Sequence, residues 1–378
     1  MASQISPQQR ALNFGAYTRQ HIQTLGSQTG SAGSHFEFEV PKARLLQAIN
    51  LLVEVEFTTT KGLDSVEHNM QQLMDLYNVL KRVSVDYNNG FSPVVASGKD
   101  IAIMNMLRVK SDTILPSMVH DKTMLTLEKN NVFTYMPYSV NSIEPIALAT
   151  PFEVESKAKY YFNLEIPVTL NDRDPAGLVL AQNGQTLINF SMDIADTFTV
   201  FDTTDKLCTY KPVTVKVTPQ LVTFSIPNVE SAFPDLSVLK VVDSRKETFT
   251  GGGSNLIKLP TGMIYRKLVL YFEDENGNPM KAEDITSNIE LLLNTADIPY
   301  SVNPKQLRMR TTSQTGGNLP EGYYAFDFSC QGTNPNYGGS RDYIDAETIT
   351  TFEMRFTTAK SGKVTIISEK ISRLKASN

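Results

Sequence analysis

Phe36, Phe38 and Val40 alternate with Glu37 and Glu39, and Ile49, Leu51, Val53, Val55 and Phe57 repeat that period of two against Asn50, Glu54 and Glu56. A period of two sends successive side chains to opposite faces of a strand, so each such segment needs a sheet with one buried face. Further strands are predicted over 79–87, 132–138, 160–170, 186–192 and 213–224, and again over 267–273, 289–293, 323–328, 348–356 and 363–371. Asn88-Asn89-Gly90, Asn183-Gly184 and Asn276-Gly277 supply hairpin or loop chemistry between them. Long helices do not alternate with these strands, which argues against Rossmann and TIM architectures. Many short antiparallel strands along 378 residues point to β-sandwiches in two or three domains.

The two halves echo each other. Val40-Pro41-Lys42-Ala43 precedes Ile49, Leu51, Val53 and Phe57, and Leu259-Pro260-Thr261-Gly262 precedes Leu268, Leu270 and Phe272. Tyr160-Tyr161 opens one strand and Tyr323-Tyr324 another, each with a further strand beginning near Leu187 or Ile349. The spacing between copies is 219 residues for the proline pair and 163 for the tyrosine pair, so the loops have diverged in length. Two similar sandwiches in series account for this pattern; chance matching of short apolar phrases is the alternative.

Few helices interrupt the strands. Ser6-Pro7 sets an N-cap before proline at the first helical position, and Leu12, Ala16, Ile22 and Leu25 form a short apolar stripe. Gly26 to Ser34, GSQTGSAGS, has the composition of a flexible connector, so a basic helix on a tether is expected here. Asp64-Ser-Val-Glu67 is a capping box ahead of Met70, Leu73 and Tyr77 at helical spacing. Another helix is predicted after Asn303-Pro304, in KQLRMRTT.

Charge is unevenly spread. The net charge of −5 conceals +2 over residues 1–36 and +4 over residues 359–378, which leaves −11 for the body. Basic ends of this kind either meet an anionic surface or are solvated and aid solubility. Two cysteines, Cys208 and Cys330, exclude a disulfide framework or a multi-cysteine zinc module. No stretch of 18 strongly apolar residues occurs, and MASQISPQQR has no apolar h-region of a secretory leader.

Catalytic signatures are sparse. There is no GxSxG, and neither Gly98-Lys99 nor Gly362-Lys363 continues as a phosphate-cradling GK[ST]. Gly251-Gly252-Gly253 lacks GxGxxG spacing, and Asp274, Asn276 and Asn278 place Pro279 where an EF-hand needs glycine. His21, His35, His68 and His120 do not cluster, so either cysteine would lack its usual base. Asp172/Asp174 and Asp342/Asp345 are carboxylate pairs of the kind glycoside chemistry uses, but acidic loops supply such pairs routinely. Lys305, Arg308 and Arg310 form a small basic cluster that reads as a helix face or subunit contact.

Several phrases, in order, resemble the double-jelly-roll major capsid proteins of tectiviruses and their relatives. LKRVSVDYNNGFSPVVASGKDIAIMNM (Leu80–Met106) looks like the family's strand, turn and following segment in the first jelly roll. YYFNLEIPVTLNDRDPAGLVLAQNGQTLINF (Tyr160–Phe190) resembles the later strands of the same barrel. LPEGYYA (Leu319–Ala325) and RDYIDAETITTFEMRF (Arg341–Phe356) look like the matching strands of the second. No calcium ligand or signature residue of the family is identified.

The resemblance implies an all-β chain of two consecutive eight-stranded antiparallel jelly-roll sandwiches with an N-terminal helix and short loop helices. Residues 1–34 would be the basic helix and tether, 35–226 the first jelly roll, and 227–378 the second with a basic C-terminal tail. It further implies a structural, non-enzymatic protein without cofactors, made in the host cytoplasm and located in the virion. Homotrimers would tile an icosahedral shell over an internal membrane, with contacts to neighbouring trimers, lipid and minor or vertex proteins but no sequence-specific nucleic acid. Arg10, Arg19, Lys370, Arg373 and Lys375 would face the membrane. Loops 58–78, 227–255 and 299–320 would supply trimer contacts and outward towers. Two other readings are a secreted carbohydrate-binding or glycoside-processing sandwich and a trimeric phage receptor-binding fibre. The first should carry a leader and exposed Trp, of which there is none; the second should be more repetitive.

Overall fold

The strand Leu45–Thr59 shows how the sequence pattern becomes structure: Ile49, Leu51, Val53, Val55 and Phe57 are each at most 1% exposed, while Leu52 stands 41% exposed on the other face. Burying five such side chains contributes on the order of 10 kcal/mol before chain entropy is set against it. The computed structural model describes residues 6–59, 74–87, 90–108, 117–119, 156–170, 176–180, 187–202, 206–329 and 343–373. Among these, the strands form sheets of eight, nine and four members.

The first sandwich packs the eight-stranded sheet against part of the nine-stranded one. Leu45–Thr59 lies between Lys206–Phe224 and Ser156–Pro167, antiparallel to both. Facing it, Ile188–Ile194 lies between His35–Glu39 and Leu80–Tyr87, and Phe91–Ala96 pairs beside the latter. The second sandwich repeats this order. Ile264–Asp274 lies between Gly362–Arg373 and Tyr323–Asp327, and faces a sheet in which Phe352–Thr357 lies between Ser254–Leu259 and Ile289–Leu293. The repeat read in the sequence is therefore a repeat of structure: the strands begin at Leu45 and Ile264, each four residues after Pro41 or Pro260. The Tyr160 and Tyr323 strands pair alongside them, Tyr160 opposite Val55 and Tyr323 opposite Tyr271.

The sandwiches are joined by a strand that the sequence reading assigned to a loop. Val238–Phe249 runs antiparallel along Gly362–Arg373 on one side and parallel to Phe91–Ala96 on the other, with Val242 opposite Val94 and Asp243 opposite Val95. One sheet of the second sandwich thus continues one sheet of the first, so the sheets are not wholly antiparallel and the 227–255 loop is not a tower. Ile264–Asp274 is consequently buried on both faces: Leu268, Leu270 and Phe272 enter the second core, whereas Val269 and Tyr271 join the first. The 299–320 segment likewise holds a strand, Asp297–Val302, and the helix Pro304–Thr315, capped by Asn303 and ended by Gly316 at φ 72°.

The N-terminal expectation needs correction. The helix spans Pro7–Tyr17, with the Ser6 hydroxyl accepting from Gln9 N–H, but it stops before Ile22. Gln20–Thr24 and Gln28–Gly30 are strands paired along Lys206–Phe224, so the end of the expected helix and three of the nine tether residues are sheet edge. Backbone pairing with a strand some 200 residues away outweighs the weak local preference of polar residues. The capping box at Asp64–Glu67, the strand at 132–138 and the 58–78 loop beyond Thr59 as far as 73 lie outside the described residues. Met74, Leu76, Tyr77 and Val79, which follow that box, are buried.

Candidate functional site

Two regions stand out: the end of the molecule where the chain passes between sandwiches, and the seam where the sandwiches meet. At the first, Phe14 of the N-terminal helix is 6% exposed and packs edge-on against Phe224, with ring centroids 5.1 Å apart, beside Leu45 and Leu178. Arg19 N–H donates to the Ser225 hydroxyl at 2.9 Å, and Ser225 N–H returns a bond to the Arg19 carbonyl at 2.9 Å. Arg10 lies close enough to Asp235 to help hold its carboxyl below the ordinary range, an effect led by the Ser237 hydroxyl, which donates at 2.6 Å. Arg373 is opposite Val238 in the sheet and so ends at the same place.

Three of the five basic residues singled out from the sequence thus meet at one end. Lys42 and Arg44, in the turn before Leu45, join them there; sequence reading used that turn only as a repeat marker. Glu230 and Asp235 share this end. Lys370 does not belong to it as an exposed cation: it is 3% exposed, its ammonium lies 2.7 Å from Asp243 Oδ2, and it sits over the Tyr265 ring. Its place opposite Val241, within the paired sheet, explains its burial. Lys375 lies outside the described residues.

At the seam, the helix Gly98–Met106 is buried along its whole length. Its start is fixed by a capping box between Ser97 and Asp100, an S-x-x-D signal that the sequence reading passed over. Lys99 reaches Asp75 at 2.5 Å and lies 4.8 Å from the centre of the Tyr271 ring, which stacks on Tyr323 at 4.4 Å. Burial opposes the charged form of Lys99, yet the Asp75 carboxylate together with Tyr323 and Tyr271 raises its pKa well above the ordinary value. A groove of about 1080 Å³ opens beside this cluster, and its lining mixes Lys81, Arg82 and Arg245 with Asp193, Asp196 and Glu273 and, among the described residues, includes no histidine or cysteine.

The other sequence candidates resolve into local structure. Asp274 accepts backbone N–H bonds from Asn276 and Asn278, both at 2.9 Å, and Gly277 takes φ 84°, which makes a turn of the EF-hand-like phrase. Lys305 pairs with Glu283 at 2.7 Å, and the Arg308 guanidinium donates to the Pro320 and Leu319 carbonyls at 3.1 Å, tying its helix to the following loop. His35 contacts Asp193 at 2.6 Å on the surface. Asp345 accepts from Glu347 N–H at 2.9 Å, while Asp172, Asp174, Asp342 and Cys330 lie outside the described residues. No group of three or more His, Cys, Asp or Glu is placed to hold a metal, and no helix is long and apolar enough to cross a membrane, among the described residues.

No sequence-family model matches the chain, and no curated protein matches it. Solved structures do. The STIV MCP superposes with a TM-score of 0.62 at 12% identity, over 94% of this chain and 97% of its own. The major capsid protein P2 from bacteriophage PM2 gives 0.52 at 9% identity, over 95% and 100%. The chain has the double-jelly-roll fold. The Faustovirus major capsid protein shares this double jelly roll at a TM-score of 0.55 and 9% identity, over 95% of this chain and 91% of its own. Coverage of nearly the whole chain means that both jelly rolls, and the way they are joined, take part in the match.

Proposed function

We propose that this chain is the major capsid protein of an icosahedral virus, located in the virion shell. The observation that carries this is the serial pair of jelly rolls fused through one nine-stranded sheet, superposable along nearly its full length on viral major capsid proteins. A chain with two similar, rigidly joined lobes suits a trimer with six lobes, a tile whose outline approximates a hexagon although its symmetry is threefold. Exposed apolar side chains, Leu52, Leu256, Ile298 and Met309, are available to bury in contacts between copies. Such a role requires no catalytic step.

The end that gathers Arg10, Arg19, Lys42, Arg44 and Arg373 faces the shell interior in this proposal, toward an internal membrane and minor capsid proteins. Each basic residue near an anionic lipid surface contributes about 1 kcal/mol, and a trimer presents three sets. A bacterial, tectivirus-like host rests on the sequence resemblance. Sedimentation equilibrium tests assembly: the expected species has three times the 42.0 kDa chain mass, and a monodisperse monomer at all concentrations would overturn it. Flotation with phosphatidylserine vesicles tests the basic end. Changing Arg10, Arg19 and Arg373 together to Glu should reduce lipid binding and leave the trimer mass unchanged; undiminished binding would remove the membrane role.

A further inference from the structure

The seam between the jelly rolls carries more buried positive charge than its acids can match. Lys240, Arg266 and Lys267 share a single carboxylate, Glu369. Lys240 Nζ is 3.1 Å from its Oε2, Lys267 Nζ is 3.8 Å from the same oxygen, and Arg266 Nε is 3.6 Å from Oε1. The Lys240, Lys267 and Glu369 side chains are 2–3% exposed and that of Arg266 is 9%. The adjoining charges are already matched: Arg108 pairs with Glu165 at 2.7 Å and Lys370 with Asp243 at 2.7 Å. Asp327, buried opposite Lys267 across the strand pair, is one further carboxylate at longer range. Among the described residues, one positive charge therefore lacks a counter-charge in a region shielded from water.

Backbone carbonyls compensate only in part. Lys240 donates to the Thr169 carbonyl at 3.4 Å and Arg266 to that of Leu170 at 3.1 Å. The Lys267 ammonium has three donors and, among the described residues, no hydrogen bond; its nearest carboxylate oxygen is the one 3.8 Å away. A buried ammonium with unfilled donors is stabilised by an anion within reach. Burial, followed by the neighbouring Lys267, Arg108 and Arg266 and against the pull of Glu369, lowers the Lys240 pKa to about 8.

A cavity of about 20 Å³ lies at this point, lined by Asn105, Arg108, Lys240, Lys267 and Glu369 among apolar side chains. A water-sized body needs roughly 10–15 Å³ by the same measure, so there is room for one monatomic ion and not for a tetrahedral oxyanion. We propose that this cavity binds a single halide ion, chloride under ordinary conditions, as the missing counter-charge of the Lys240–Arg266–Lys267 cluster. Its lining comes from both jelly rolls, Asn105 and Arg108 from the first and Lys240, Lys267 and Glu369 from the second, so the ion fastens one roll to the other. A water in the same place would give Glu369 Oε1, which has no hydrogen-bond donor, a partner, but would leave the charge excess intact.

Two measurements on the full chain decide the matter, independently of the capsid reading. Crystals soaked in sodium bromide should give an anomalous peak in the seam cavity beside Lys267; a cavity with water or no anomalous density would overturn the proposal. In solution, replacing potassium gluconate by potassium chloride at constant ionic strength should raise Tm saturably, by about 2–4 °C at 100 mM. Lys267→Met should abolish that difference while the protein remains folded. Equal Tm values for the unaltered protein in the two salts would overturn the proposal even if the variant does not fold.

Discussion

The Lys99 ammonium lies 2.5 Å from Asp75 Oδ1, both side chains less than 10% exposed, and the pair is covered by Tyr271 and Tyr323 of the second jelly roll. A buried pair of this kind is worth little relative to an apolar replacement, but removing one partner strands the other charge. Asp75→Asn is expected to cost about 3–5 kcal/mol in urea unfolding, and Asp75→Leu combined with Lys99→Met considerably less. Equal losses in the single and double variants would show that the charge is not what matters.

Gly98 opens the buried helix where a side chain has no room. A Cβ there would meet Leu80 Cβ at 2.7 Å and the Tyr77 carbonyl at 2.8 Å. Helix propensity alone would make Gly98→Ala stabilising by about 1 kcal/mol. The close approach reverses the sign, and a destabilisation of about 1–3 kcal/mol is expected by denaturant titration.

Phe14 anchors the N-terminal helix. Phe14→Ala should cost the helix about 3 kcal/mol of local stability. Amide exchange measured by mass spectrometry should then accelerate over Pro7–Tyr17 and leave Leu45–Thr59 protected. Exchange that is already fast in the unaltered protein would restore the picture of a tethered tail.

Lys240 gives the seam a pH dependence. With its folded-state pKa lowered to about 8 from an ordinary 10.5, the unfolded chain binds a proton between those values that the folded chain does not. Stability in halide-free buffer should therefore rise with pH across that window, while the full cost of the charged form is felt below pH 8. Lys240→Met should flatten the rise in a Tm-versus-pH series. Glu369 acts at the acid side. Burial opposes its charge, but Lys240, Lys267 and Arg266 prevail and hold its pKa well below 4.5, so its contribution is present above pH 4.5 and is lost as pH falls.

Sequence patterning was most legible in strands that set one face to water, although the short half-exposed strand Ser254–Leu259 escaped it. Ile49 through Phe57 and Phe36 through Val40 alternate because Glu54, Glu37 and Glu39 point outward, and the paired Pro41 and Pro260 phrases led directly to two similar units. Patterning found the doubly buried strands Ile264–Asp274 and Tyr323–Asp327 by their apolar runs, but missed the one that joins the rolls. Val238–Phe249, which joins the rolls, opens with Val238-Leu239-Lys240-Val241-Val242, and the Lys240 partner, Glu369, is 129 residues away. The Gly98 helix escaped because it is buried on every side and carries Lys99, Asp100 and Asn105 among its apolar residues, so it shows no clean stripe and only its cap announces it. In the same way a basic C-terminal run gave the sign of Lys370 but not Asp243, and the pairing decides whether a cation is surface or core.

The central claim is that two fused rolls per chain make a six-lobed tile, and averaged electron micrographs of the purified protein test it most directly. The account predicts particles with threefold symmetry whose end-on views show six lobes in a near-hexagonal ring. Particles that remain single two-lobed units at concentrations well above those of imaging, or threefold particles with only three lobes, would contradict it.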